Sequence, residues 1–142
     1  IEKQLKKELS KGLDSISYYS DFQNKADKIK YDLLNFLMEQ KQIGHKVSAY
    51  GAAAKGNTLL NYCGIRKDLI PFVVDISPYK QGKYLPCSHI KVVSESEINL
   101  YKPDFVLVLP WNIKDEIMAQ LDYIRKWGGK FVTAIPQFTI YE

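Results

Sequence analysis

The sequence predicts an α/β protein built on a Rossmann-like, doubly wound parallel sheet of about five strands. Short apolar runs alternate with helical patterns after residue 47, and a glycine-containing turn follows the first run. The runs at 71–76 and 104–109 are apolar almost throughout, which is typical of strands buried on both faces. Right-handed crossovers then favour the strand order 3-2-1-4-5.

Composition is that of an ordinary soluble domain. The chain has 142 residues, with 46% hydrophobic and 25% charged, and a net charge of +4 spread over scattered lysines. This balance indicates neither a nucleic-acid partner nor a membrane segment. Cys63 and Cys87 have no partner at metal-ligand spacing, so we expect reduced thiols, no metal site and a cytoplasmic protein. The chain opens without Met in mid-pattern, and we expect a fragment of a longer enzyme.

Residues 1–46 are predicted as a helical segment that packs on the Rossmann-like domain at 47–142. A short helix over 2–9 precedes a long one that begins near Asp14 or Ser15 and ends at Gly44. Core packing of the long helix is favoured, and a coiled-coil arm is the alternative. Its apolar side chains recur at helical spacing, at Tyr18, Phe22, Ala26, Ile29, Leu33, Phe36 and Leu37.

The elements after residue 46 follow in a regular alternation. Ser94 and Glu97 have the spacing of a capping box, and Gly64 and the Gly128–Gly129 pair are expected to end helices. The strands are predicted at 47–50, 71–76, 90–93, 104–109 and 130–135, and the helices at 56–62, 94–102 and 112–127.

Ligands of doubly wound sheets bind at the carboxyl ends of the strands, where the winding reverses. In the predicted order that point lies between the first and fourth strands, so the segments 51–58 and 109–112 should meet. The first is a Gly-x-Ala-x-x-Gly loop, a variant of the dinucleotide fingerprint. Gly51 permits the tight turn, Ala53 lets backbone approach a phosphate, and Gly56 lets helix and strand pack closely.

The same loop carries polar groups suited to an anion. Lys55 adds a mobile positive charge beside the amides of a helix N-terminus, and Asn57 and Thr58 can donate hydrogen bonds. The alternative is a tight strand-to-helix turn that binds no ligand.

Further candidates follow the second strand. Asp75 stands where a carboxylate often receives a ribose hydroxyl, although a cap or a salt bridge to Lys80 or Lys83 is the alternative. The loop 77–89 places Tyr79 for stacking on a base and Lys80 for pairing with phosphate, unless the loop is simply solvated.

Trp111 and Asn112 follow the fourth strand. Trp111 is either a stacking platform or the anchor of a helix start, and Asn112 is favoured as an N-cap. No nucleophile–base constellation is present, and the lone His45 and His89 are interpreted as structural or surface residues. We therefore assign no catalytic residue.

The segments 50–62, 74–86 and 109–112 together resemble the C-terminal domain of the SAM-dependent sugar C-methyltransferase family. The resemblance spans nearly the whole chain in the same order. It implies an enzyme with a zinc-binding N-terminal module, a central SAM-binding domain and this C-terminal Rossmann-like domain. In that family the methylated carbon commonly lies next to the keto group of a dTDP-4-keto-deoxysugar.

The resemblance implies that SAM and zinc are bound upstream, and that this chain contacts the nucleotide-sugar and the missing methyltransferase domain. The chain departs from the family pattern at Cys87, where a glycine or another small residue is expected. A free-standing NAD- or nucleotide-binding domain is the alternative function, and a non-enzymatic interaction module is a third. The substrate contacts carried over are Gly51, Ala53, Lys55, Gly56, Asn57, Thr58, Asp75, Tyr79, Lys80, Trp111 and Asn112.

Overall fold

A computed structural model describes all residues from Ile1 to Glu142. The N-terminal segment forms three helices, α1 (Glu2–Leu9), α2 (Ile16–Tyr19) and α3 (Phe22–Gln42). The short first helix is as predicted, but the long second helix is interrupted between α2 and α3. The Ser20 hydroxyl donates to the Ser17 carbonyl at 2.8 Å there. Such local side-chain bonds compete with the helical ladder.

Burial divides this N-terminal segment. Leu33, Phe36 and Leu37 of α3 are buried against the sheet, whereas α1 and α2 bury no residue. Phe22 is 69% exposed although it shares the predicted apolar stripe. The buried contacts of α3 therefore lie in its second half, and Ile29 in its first half adds a partly buried contact with the core.

The sheet has six strands in the order β3-β2-β1-β4-β5-β6. The first five pair in parallel and confirm the predicted order 3-2-1-4-5. The sixth pairs antiparallel with β5 and was not predicted, because three residues after Pro136 give too short a pattern. The bounds are β1 Val47–Tyr50, β2 Phe72–Val74, β3 Lys91–Val93, β4 Phe105–Val108, β5 Lys130–Thr133 and β6 Thr139–Tyr141.

The remaining helices are α4 (Ala54–Cys63), α5 (Ser96–Tyr101) and α6 (Lys114–Gln120). The helix predicted over 112–127 is split, since 3₁₀ turns at Trp111–Ile113 and Asp122–Trp127 flank α6. Gly64 and Gly128 adopt left-handed backbone at helix ends, as predicted.

The predicted capping box at Ser94 is wrong. The helix α5 begins two residues later than expected, with Glu95 at its N-cap and no side-chain cap bond. The Ser94 hydroxyl instead contacts the Ser96 hydroxyl at 2.6 Å. The Ser94 hydroxyl thus contacts a neighbouring side chain, and no bond from the Glu97 amide to it is formed.

Two apolar layers enclose the sheet. One layer packs α3 and α4 against one face around Leu33, Leu60 and Leu107. The other packs α5 and α6 against the opposite face around Ile98 and Phe131. This arrangement explains why the strands are apolar on both sides.

The chain between β2 and β3 folds back along the outer edge of β3. The Val92 amide donates to the Lys83 carbonyl at 2.8 Å, and the Gly82 amide donates to Val92 at 2.9 Å. Cys87 has a φ of 64° and His89 a φ of 55°. Glycine adopts this left-handed region without strain, which explains why the family pattern leads us to expect a small residue at Cys87.

No helix combines the length and the apolar composition that crossing a bilayer requires.

The division of burial predicts unequal effects of matched substitutions. We expect Leu33→Ala to lower the free energy of unfolding by about 2–5 kcal/mol, because it opens a cavity at a fully buried position. Leu5→Ala in α1 should change it by less than ~0.5 kcal/mol, since that side chain is 55% exposed. Urea denaturation of both variants measures the difference, and similar losses would show that α1 packs on the core.

Candidate functional site

The loop after β1 and the segment after β4 meet at the carboxyl edge of the sheet, as predicted. The Lys55 ammonium lies 4.8 Å from the ring centroid of Trp111 and donates to the Asn112 side-chain oxygen. We call the space between residues 51–58 and 109–112 the switch-point cleft. Its two walls are therefore in direct contact through a cation.

Close backbone packing sets the shape of the switch-point cleft. Gly51 has a φ of +93°, and a Cβ there would overlap the ring of Pro110. A Cβ on Gly56 would lie 2.7 Å from Leu109 Cβ, closer than side chains approach each other. Both glycines are thus required by geometry, and the packing reason given for Gly56 is the one observed.

The amides of this loop fall into two groups. The Ala52 amide donates to Asp75 Oδ2 at 2.8 Å, and the Ala53 amide donates to the Gly51 carbonyl at 2.8 Å. The amides of Ala54, Lys55 and Gly56 in the first turn of α4 donate no hydrogen bond within the chain. These free donors at a helix N-terminus favour an anion through their orientation and the helix dipole.

Asn57 and Thr58 lie one step further into α4. The Thr58 hydroxyl donates to the Ala54 carbonyl at 3.1 Å, so its proton is used within the helix. The Asn57 side-chain oxygen is buried and has no partner. Asn57 therefore has an acceptor to offer, whereas the donor role predicted for Thr58 requires its hydroxyl to turn.

Asp75 is 6% exposed and organises the backbone around it. Its carboxylate accepts from the amides of Ala52 at 2.8 Å and Ser77 at 2.9 Å. It also forms a salt bridge with the Lys80 ammonium at 3.0 Å. The alternative of a salt bridge is thus observed, with Lys80 rather than Lys83, and the ribose-binding role stays a prediction.

The remaining candidate residues differ in their exposure and in the bonds they already form. Tyr79 is 84% exposed on the loop after β2, whereas the Lys80 ammonium is held by Asp75. Trp111 begins a 3₁₀ turn and is half-buried. Asn112 makes no cap bond, so its predicted N-cap role is wrong, because Ile113 precedes α6 and the Asn112 oxygen faces Lys55.

A polar network at the same edge was missed by the sequence analysis. The Gln120 amide group donates to the Tyr50 hydroxyl at 2.9 Å and to Glu95 at 2.6 Å. Tyr123 donates to the same carboxylate at 3.2 Å. Burial raises the pKa of both tyrosine hydroxyls, so both stay protonated at physiological pH. The one feature of the sequence that could have indicated this network is the hydroxyl of Tyr50 at the end of a buried strand.

The chain does not offer the donor set of a zinc site. No three His, Cys, Asp or Glu side chains stand close enough together to hold a metal ion. Cys63 is buried, which raises the pKa of its thiol to about 11, and Cys87 is exposed. The zinc that the resemblance implies for an upstream module stays a prediction.

Comparison with known proteins gives two findings. Residues 1–136 match the family described as C-methyltransferase C-terminal domain. The chain is also similar to C-methyltransferase NovU from Streptomyces niveus, with 31% identity over 137 residues. That match covers 96% of this chain and 33% of the relative, so the chain spans about a third of the length of the curated relative.

Because Gly56 contacts Leu109 closely, we expect alanine at this helix position to be less stable than glycine, which is the reverse of the usual preference. Alanine normally stabilises a helix interior relative to glycine by ~1 kcal/mol. Gly56→Ala should instead lower the free energy of unfolding by about 1–3 kcal/mol through overpacking. Asn35→Ala on the exposed face of α3 is the control and should be neutral or slightly stabilising. A stabilising Gly56→Ala would disprove the close packing of α4 on Leu109.

The bonds of Asp75 predict a structural cost of its removal. Asp75→Ala should lower the free energy of unfolding by roughly 2–3 kcal/mol, because the Ala52 and Ser77 amides lose a charged acceptor. Asp115→Ala, which removes a carboxylate that is 82% exposed and bridged to Lys114, should change stability by less than ~1 kcal/mol. Equal effects in thermal unfolding would contradict the role given to Asp75.

Proposed function

The chain belongs to the family of C-methyltransferase C-terminal domains, and we propose that it is the substrate-binding domain of such an enzyme. Its proposed ligand is a nucleotide-linked deoxysugar of the dTDP-4-keto type. The observation that carries this proposal is that the first turn of α4 combines three unbonded amides with Lys55, whose ammonium contacts the Trp111 ring. Reduced thiols at Cys63 and Cys87 suit a cytoplasmic enzyme.

A diphosphate is the part of the ligand that suits the switch-point cleft best. The amides of Ala54, Lys55 and Gly56 would donate to phosphate oxygens, and the dipole of the ten-residue helix α4 favours negative charge there. Lys55 would leave the Asn112 oxygen and pair with the anion. Charge-assisted bonds of this kind are about twice as strong as neutral ones.

Two aromatic side chains could hold the base of the nucleotide. The Lys55 ammonium lies over the Trp111 ring, so one face of this ring is accessible to another group. Tyr79 is free at the end of the neighbouring strand. We place the base against Trp111, because its indole borders the diphosphate position directly.

The chemistry of the reaction would be carried out by the upstream part of the enzyme. SAM, bound outside this chain, supplies the methyl group. The residues of this chain suit that division, since the Lys55 ammonium at the switch-point cleft forms no salt bridge and would repel a sulfonium ion. The role left to the chain is to bind the nucleotide and orient the sugar towards the methyltransferase domain.

The alternative of an NAD-binding domain requires a carboxylate that accepts ribose hydroxyls. Asp75 has that position, but two amides and the Lys80 ammonium already share its oxygens. A nucleotide-sugar held by its diphosphate and base needs no such acceptor. The nucleotide-sugar therefore fits these contacts better than NAD does.

Calorimetric titration of the chain with dTDP, a dTDP-sugar, NAD and SAM tests the proposal. We expect dTDP and the dTDP-sugar to bind, and NAD and SAM to bind more weakly or not at all. Lys55→Gln should weaken dTDP binding roughly tenfold, which corresponds to ~1.4 kcal/mol, because it loses a charge-assisted bond.

Lys126→Gln is the matched control, since this lysine is exposed and remote from the switch-point cleft. It should leave the dissociation constant unchanged. Tighter binding of NAD than of dTDP would disprove the proposed ligand class. Equal dTDP affinity in the Lys55→Gln and Lys126→Gln variants would disprove the proposed place of the diphosphate.

A further inference from the structure

We propose that a cavity at the amino edge of the sheet binds the phosphoryl group of a small phosphate monoester. The cavity has a volume of about 360 Å³ and is lined by Arg66, Lys67, Tyr84, Ser88 and His89. None of these residues borders the switch-point cleft. The inference is thus independent of the proposed nucleotide-sugar function.

The two ends of α4 separate the cavity from the switch-point cleft. The helix begins at Ala54 on the carboxyl edge and ends at Cys63, so it is ten residues long. At 1.5 Å per residue the two sites lie roughly 15 Å apart. Arg66 and Lys67 follow the end of α4, and Ser88 and His89 precede β3, so both pairs lie at the amino edge.

The wall of the cavity is cationic and carries no acidic side chain. Neither Arg66 nor Lys67 forms a salt bridge within the chain. Lys67 also lines a second cavity together with Asp68, and the two side chains form no salt bridge. Two unpaired cations in one concave wall would attract an anion, and the planar guanidinium of Arg66 can bind two oxygens of a phosphate at once.

Ser88 provides the strongest indication of a ligand. The residue is 3% exposed, yet its hydroxyl has no hydrogen-bond partner in the chain. A buried hydroxyl without a partner costs free energy, so such groups normally have a partner or a ligand. The Ser88 hydroxyl is enclosed as it stands, and rotation of its side chain towards the cavity would let a phosphate oxygen accept that proton.

The backbone around Ser88 is held in a costly conformation. Cys87 and His89, on either side, both have left-handed φ values of 64° and 55°. Each such residue costs free energy, and the structure retains them through other bonds. One such bond joins Arg66 Nη1 to the Cys87 carbonyl at 3.0 Å, so the cationic wall and the Ser88 wall are fixed relative to each other.

The size of the cavity favours a monoester over a bare ion. Its volume exceeds what one phosphate ion fills and lies at the lower end of the range for small-molecule sites. The Tyr84 side chain is 61% exposed beside the cavity and can cover an organic group attached to the phosphate. Five donor-bearing side chains and no carboxylate suit a dianion rather than a neutral sugar.

Amide chemical shifts of the chain, measured during titration, test the proposal. The probes are inorganic phosphate, a hexose phosphate and, for salt effects, chloride. We expect saturable shifts at Ser88 and His89 with phosphate and with hexose phosphate, and none with chloride. Binding of the ester at least as tightly as the ion identifies a monoester as the ligand, whereas binding of the ion alone would overturn that assignment.

Substitutions inside and outside the cavity test whether phosphate binds there rather than elsewhere on the chain. Lys67→Gln and Ser88→Ala should each weaken phosphate binding at least threefold. Lys55→Gln in the switch-point cleft and Lys126→Gln should leave it unchanged. Ser48→Ala is the matched control for Ser88, because the Ser48 hydroxyl is equally buried and unpartnered but lies in β1.

Thermal unfolding gives a second readout. Without phosphate, Ser88→Ala should be at least as stable as the parent chain, since it removes an unsatisfied hydroxyl. With phosphate, the parent and Ser48→Ala should gain more in Tm than Ser88→Ala does. Shifts confined to residues near Lys55, equal effects of chloride, or an unchanged response of both cavity variants would each overturn the proposal.

Discussion

The close approach of α4 to the end of β4 is the constraint on which the rest of the structure depends. Gly51 lies against Pro110 and Gly56 against Leu109, with no room for a side chain at either contact. This approach brings the start of α4 beside the 3₁₀ turn at Trp111–Ile113. The unbonded amides, the Lys55 ammonium and the Trp111 ring consequently converge at the point where the winding of the sheet reverses.

Asp75 connects that contact to the neighbouring strand. Its carboxylate ties the Ala52 amide of the first loop to the Ser77 amide and the Lys80 ammonium of the second. A buried carboxylate with several donors fixes the relative position of two loops more firmly than apolar packing alone. The position that the sequence suggested for substrate binding therefore has a structural role, and its ribose-binding role stays a prediction.

The order of the parallel strands was predicted more accurately from the sequence than the bounds of the helices were. The strand at Val47–Tyr50 was predicted to the residue, because Lys46 and Gly51 mark both ends of this short segment. Two helices were predicted as continuous but are interrupted, one near Ser20 and one near Leu121. The spacing of apolar residues is the same on both sides of each interruption, so the sequence pattern does not reveal the local side-chain bond or the 3₁₀ turn. The meeting of Lys55 with the segment after β4 followed from the winding rule. The Ser88 cavity depends on the path of a loop, which no periodicity encodes.

The two outer strands differ in what they offer to another chain. The segment 82–85 covers β3, where Val92 exchanges hydrogen bonds with Gly82 and Lys83. Only β6 presents an open edge, and it is three residues long, with the charged Lys130–Glu142 pair beside it. Short, charged edges resist pairing with further strands. The sheet accordingly offers little open edge to which a strand of another molecule could pair.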